Sequence, residues 1–139
     1  MFEFVIHKLK FLRNIPLLPF VFDSFLKLYL FITNKQVLDL IDELEDEIML
    51  WNGVHSHFHK YGGLQFDFQK SEIGHIHGNG LIDILIDRKT AKELIVNGKA
   101  MEHHTIKNSG WISFYIKSRQ DFTNAIYLFR LSYQRVSSK

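Results

Sequence analysis

The spacing of hydrophobic positions changes twice along this chain, and the changes mark out its elements. Residues 2–13 alternate loosely between apolar groups (Phe4, Val5, Leu9, Phe11, Leu12) and bases (Lys8, Lys10, Arg13), the pattern of a short helix stopped at Pro16. Pro19 to Thr33 carries Phe22, Phe25, Leu26 and Tyr29 at helical spacing. Asn34 is placed to cap a helix from Lys35 to about Leu50, with Val37, Leu38, Ile41, Leu44, Ile48 and Trp51 as its apolar stripe. Its other side holds Asp39, Asp42, Glu43, Glu45, Asp46 and Glu47, a solvated face, because side chains adjacent in sequence do not converge on one cation.

Past Gly53 the period drops to two. Val54, Ser56 and Phe58 alternate with His55, His57 and His59, and Leu64, Phe66 and Phe68 alternate with Gln65, Asp67 and Gln69. Loops at 61–63, 70–72 and 78–80 then give an antiparallel meander of four strands that ends in Ile82, Ile84 and Ile86. In that register Phe58, Phe66, Ile76 and Ile82 share one face, and His57, Asp67, His75 and Asp83 share the other. His75 lies opposite Asp83 and His77 opposite Leu81. A two-residue Asn79-Gly80 turn is the rival and would set Asp83 against Ile76.

Asp87 is placed to cap a helix over Arg88 to Asn97 that Gly98 stops. Met101 to Ile106 reads as a strand containing His103 and His104, Lys107-Asn108-Ser109-Gly110 as a turn, and Trp111 to Lys117 as a strand. Ser118 with Asp121 resembles a capping box opening a last helix that buries Phe122, Ala125, Ile126, Phe129 and Tyr133. The expected fold is α+β, an antiparallel sheet of about six strands (a four-strand meander plus a hairpin) with helices packed on one face. Residues 34–139 form the single domain, and residues 1–33 a Phe-rich helical extension.

Composition narrows the classes of function. A net charge of +2 with no cluster of bases argues against nucleic acid. The absence of cysteine removes disulfides, thiolate ligands and thiol nucleophiles, and fits a cytoplasmic location. Seven of the thirteen phenylalanines lie in residues 1–32, yet the longest charge-free stretch there, Asn14 to Phe22, is far short of the ~20 residues a spanning helix needs. No transmembrane segment is expected. The extension packs on the domain or on a partner; a peripheral membrane contact or a homo-oligomer through residues 1–33 is the sharper form of that reading.

Several short segments occur in a telling order: Tyr61-Gly62-Gly63, Glu72-Ile73-Gly74-His75-Ile76-His77-Gly78, Leu81-Ile82-Asp83, Glu93-Leu94-Ile95, Gly98-Lys99-Ala100, His103-His104, Ser109-Gly110-Trp111 and Leu131-Ser132-Tyr133. Over roughly residues 35–135 they resemble the uncharacterised luciferase-domain family. The family pattern commonly has a proline between the His-His pair and Ser-Gly-Trp, where this chain has Ile106-Lys107-Asn108, a departure that bears on loop shape. The family label implies a light-emitting oxygenase. This chain, however, has no glycine-rich phosphate loop after a strand to mark a flavin or nucleotide site.

The residues themselves point to a histidine-rich site for a small molecule or a metal. Two histidines at i, i+2 on a strand face the same way and can chelate zinc or a similar divalent ion. His75 and His77 are the candidate ligands, with His104 (or His103) as the third. Without a metal, His75, His77 and Asp83 are the candidate acid–base residues, the carboxylate fixing a tautomer. Glu72, Trp111 and Tyr115 are candidate ligand-binding residues, the two aromatics walling an apolar pocket. A histidine on a polar sheet face is by default a hydrogen-bonded structural residue, and His55, His57 and His59 are read that way. A serine hydrolase is excluded by the lack of a Gly-x-Ser-x-Gly elbow, which leaves Ser109 a turn residue. The reading from another class is a non-enzymatic binding or assembly module that uses the Phe-rich extension.

Overall fold

The computed structural model describes Ile15 and residues 17–138; the helix expected over residues 2–13 lies outside them. Helix α1 runs Leu18–Thr33 and α2 Lys35–Met49. Strands β1 (Val54–Phe58), β2 (Leu64–Phe68), β3 (Ser71–Ile76) and β4 (Leu81–Leu85) form the meander. They are followed by α3 (Arg88–Val96), β5 (Met101–Glu102), β6 (Trp111–Tyr115) and α4 (Arg119–Ser137). The strands form one antiparallel sheet in the order β1-β2-β3-β4-β6-β5. This is the α+β architecture expected, with β6 inserted between β4 and β5.

The caps form as their chemistry dictates. Asn34 Oδ1 accepts from Val37 N (3.4 Å), Asp87 Oδ1 accepts from Thr90 N (2.9 Å), and Asp121 Oδ2 accepts from Ser118 N (2.9 Å). On one face of the sheet, Phe66, Ile73, Ile76, Ile82, Ile84 and Ile112 meet Leu40, Ile41, Leu44 and Ile48 of α2 and Leu128 and Phe129 of α4. All twelve are essentially inaccessible to solvent.

Three expectations are corrected. The β1–β2 loop covers five residues, so Phe58 pairs with Leu64 instead of Phe66, and Phe58 is 74% exposed at the sheet edge. The strand expected over Met101 to Ile106 is only Met101–Glu102, which places His103 and His104 in the loop that follows. The register also shifts by one residue in β3: Phe66 lies opposite Gly74 but Asp67 opposite Glu72, so Ile73 is the extra residue of a bulge. The row His57-Asp67-His75-Asp83 is therefore broken, with Gln65 opposite His75 and His55 opposite Asp67.

That bulge organises the site side of the sheet. Strict alternation would put Glu72 on the face of Gly74 and Ile76. The extra residue reverses the parity: Ile73 turns into the core, and Glu72 comes to the face that carries His75. Gly74 lies beneath α4, where an added Cβ would sit 2.8 Å from Phe129 Cε1 and 2.7 Å from Asp83 O. Gly74→Ala should therefore lower the unfolding free energy by about 1–3 kcal/mol, the usual cost of overpacking. A urea titration showing no change would mean that α4 can lift away without penalty.

Candidate functional site

The hairpin expected around Gly78-Asn79-Gly80 forms in the expected register, with His75 opposite Asp83 and Ile76 opposite Ile82. His77 N donates to Leu81 O (2.8 Å), Gly80 N donates to His77 O (3.0 Å), and Gly80 supplies the left-handed turn conformation at φ 83°. Asp23 of α1 braces the turn from outside, its Oδ1 accepting from Gly78 N (2.7 Å).

Asp83 stands at the centre, fully buried. Its Oδ1 accepts the Ser113 hydroxyl from the neighbouring β6. Its Oδ2 faces three imidazole nitrogens: His77 Nε2 at 3.2 Å, His75 Nε2 at 3.4 Å and His103 Nε2 at 3.7 Å. On its far side, His75 donates from Nδ1 to Glu72 Oε1 (2.8 Å), the contact that the bulge makes possible. The His59 ring stacks on His75 with centroids 4.0 Å apart, and Trp111 lies 5.7 Å from His75 and 5.8 Å from His103.

Burial and charge act against each other here. Burial disfavours the charged His75, but hydrogen bonds to Asp83 and Glu72 outweigh it and raise its pKa to about 9. Burial also works against the Asp83 carboxylate, yet His75 and His77 hold its pKa well below the usual range. His59, buried and beside the His75 charge, is pushed down to about 3, and burial lowers His103 as well.

Hydrogen bonds settle two tautomers. His103 Nδ1 accepts from Thr105 N (3.2 Å) and Ile106 N (3.1 Å), so a neutral His103 carries its proton on Nε2 and presents a donor to Asp83. His75 has the opposite arrangement when neutral: its Nδ1 proton goes to Glu72, which leaves the Nε2 lone pair facing Asp83 and His77.

Of the residues singled out in the sequence, the structure brings together His75, His77, Asp83, Glu72 and Trp111. Tyr115 lies at the other end of β6, opposite Leu81. His104 stacks on His103 (4.5 Å) and groups with Asp83 and His103, apart from His75 and His77. Sequence reasoning missed Ser113 and His59. The alternation of β6 already put Ser113 on the face of Trp111 and Tyr115; what the sequence did not reveal was that β4 is the neighbouring strand. His59 follows β1 and reaches His75 from a loop, which strand periodicity does not describe.

Among the curated proteins and the solved structures, no match was found. A family model does match: that of the Luciferase domain is similar to this chain over residues 70–132, which hold Glu72, His75, His77, Asp83, His103, Trp111 and Ser113.

Proposed function

We propose that this cluster is a mononuclear divalent metal centre of the zinc type, with His75 Nε2, His77 Nε2 and Asp83 Oδ2 as its protein ligands. The carrying observation is the distance set. Ligands about 2.0–2.1 Å from a tetrahedral ion stand about 3.3 Å from one another, and the two imidazole nitrogens lie 3.4 and 3.2 Å from Oδ2. Ligand atoms of the three residues all fall within 4.8 Å of one another. Glu72 supports the reading, since a carboxylate on the outer nitrogen of a ligand histidine fixes the ring and its tautomer. Charge supports it too: a dication would balance Glu72 and Asp83 where a proton on His75 balances only one of them.

Three protein ligands leave a position for water or a small oxygen ligand, and a bound ion would supply Lewis-acid activation there. His103, with its Nε2 proton fixed, would stand beside that position as a donor. The metal-free acid–base reading fares worse. A His75 imidazolium held between two carboxylates is not a base poised near neutral pH. The four central groups are also almost fully enclosed, which admits an ion more readily than a large substrate.

Protein prepared without an affinity tag should bind one equivalent of zinc in equilibrium dialysis. At free zinc near a hundred times Kd, binding should raise the unfolding free energy by about 2.7 kcal/mol. His77→Ala should lose stoichiometric binding, and His104→Ala should keep it. Wild-type affinity in His77→Ala would overturn the ligand assignment.

A further inference from the structure

Helix α1 is built inside out. Its only charged residues, Asp23 and Lys27, both turn toward the domain: Asp23 accepts from Gly78 N (2.7 Å), and Lys27 Nζ pairs with Glu45 Oε1 (3.4 Å). Its outward side carries Val21, Phe25, Leu28, Tyr29, Phe31 and Ile32, each between 50% and 74% exposed. No residue of the helix is fully buried. At about 100° per residue these six positions span an arc of roughly 160°. Within that arc the polar residue is Ser24, and its hydroxyl is turned back onto Phe20 O (2.8 Å). Thr33, at the rim, bonds Tyr29 O in the same way (2.7 Å). The helix thus offers solvent a largely apolar half-cylinder, with the Ser24 and Thr33 hydroxyls bonded back onto the helix.

The width of the arc bears on what covers it. A single partner helix buries a narrower seam, while a surface helix lying in a flat apolar medium buries about half its circumference. Charge points the same way. Residues 1–22 hold three bases, Lys8, Lys10 and Arg13, against one acid, Glu3. That excess equals the whole net charge of +2, because bases and acids balance from Asp23 onward. Positive charge is thus concentrated in sequence next to the apolar face, the combination that draws a helix to anionic headgroups. No helix among the described residues is long and apolar enough to cross a membrane.

We propose that α1 is an interfacial helix that docks this domain on an anionic bilayer. Its inner side is bonded to the turn that follows His77, so the histidine cluster would stand about one helix diameter, some ~10 Å, above the lipid. This inference is independent of the metal reading.

The test is sedimentation of the full chain with sucrose-loaded vesicles, pure phosphatidylcholine against a phosphatidylcholine–phosphatidylglycerol mixture. The chain should pellet with the mixed vesicles, less with the neutral ones, and less again as salt is raised. The double variant Phe25→Asp/Ile32→Asp changes two exposed positions and should keep the wild-type circular dichroism and melting while losing tenfold or more in partitioning. Absence of pelleting with either vesicle, or unchanged partitioning of the folded double variant, would overturn the proposal. So would light scattering that shows a vesicle-free dimer which the double variant converts to monomer, since that would assign the face to a second copy of the chain.

Discussion

Asp83→Ala should cost the metal-free protein about 3–5 kcal/mol, the range for removing one partner of a buried charge pair. Whole domains of this kind are stable by only about 5–15 kcal/mol, so the variant should sit near the edge of folding. The reason lies in what the carboxylate serves. It accepts the Ser113 hydroxyl at one oxygen and faces His75, His77 and His103 at the other. Alanine would leave a buried hydroxyl without its acceptor and a His75 cation with Glu72 alone. Asp83→Asn separates the two effects, because its carbonyl can still accept from Ser113 while the charge is gone; its loss should be smaller. Urea denaturation of both variants measures the difference. If neither costs more than about 1 kcal/mol, well under the penalty for an uncompensated buried charge, the carboxylate is not what holds the cluster together.

The metal-free protein should also show a stability maximum near pH 6.5, falling on both sides. On the alkaline side the group responsible is His75, raised to about 9 in the fold from about 6.5 in the unfolded chain. A raised pKa gives stabilisation that is complete below the unfolded value and vanishes as pH climbs through the folded one. The loss between about pH 6.5 and 9 should reach about 3 kcal/mol. On the acid side His59, lowered to about 3, must remain neutral to stay folded, so its contribution fades as pH drops below about 6.5. His103 acts in the same direction. Asp83, also lowered, adds its loss below the ordinary aspartate range near 3.9. Urea midpoints from pH 4 to 10 would check this. His75→Gln should flatten the alkaline limb and spare most of the acid one; an alkaline limb unchanged in that variant would remove His75 as its cause.

Much of this cluster was legible in the chain itself, and the limits of that reading have physical reasons. The pairing of His75 with Asp83 could be foreseen because Gly80 supplies a left-handed turn conformation and a one-residue slip would have mixed polar with apolar faces. The α2 stripe was readable for a similar reason, although Leu40 is buried where Leu38 was expected. Alternation holds only while a strand stays regular, so it could not reveal the extra residue at Ile73 or the turning of Glu72 toward His75. Nor does it describe loops, which is why His59 was assigned to the sheet surface and His103 to a strand. Ser113 was on the correct face, but its partnership with Asp83 depends on which strand lies beside β6. Strand order is set by how a whole sheet packs, beyond the reach of any local window.

The bulge in β3 has a consequence for how this chain can change length. Loops usually absorb an inserted or deleted residue because few contacts depend on their count. Between Asp67 and His75 the count itself carries information. One residue fewer at Ile73 would make the strand regular: Glu72 would stay on the face of His75, and the apolar layer would lose the Ile73 side chain. A single deletion there would therefore fall on the core, which loses a fully buried isoleucine, while the parity that brings Glu72 to His75 is kept.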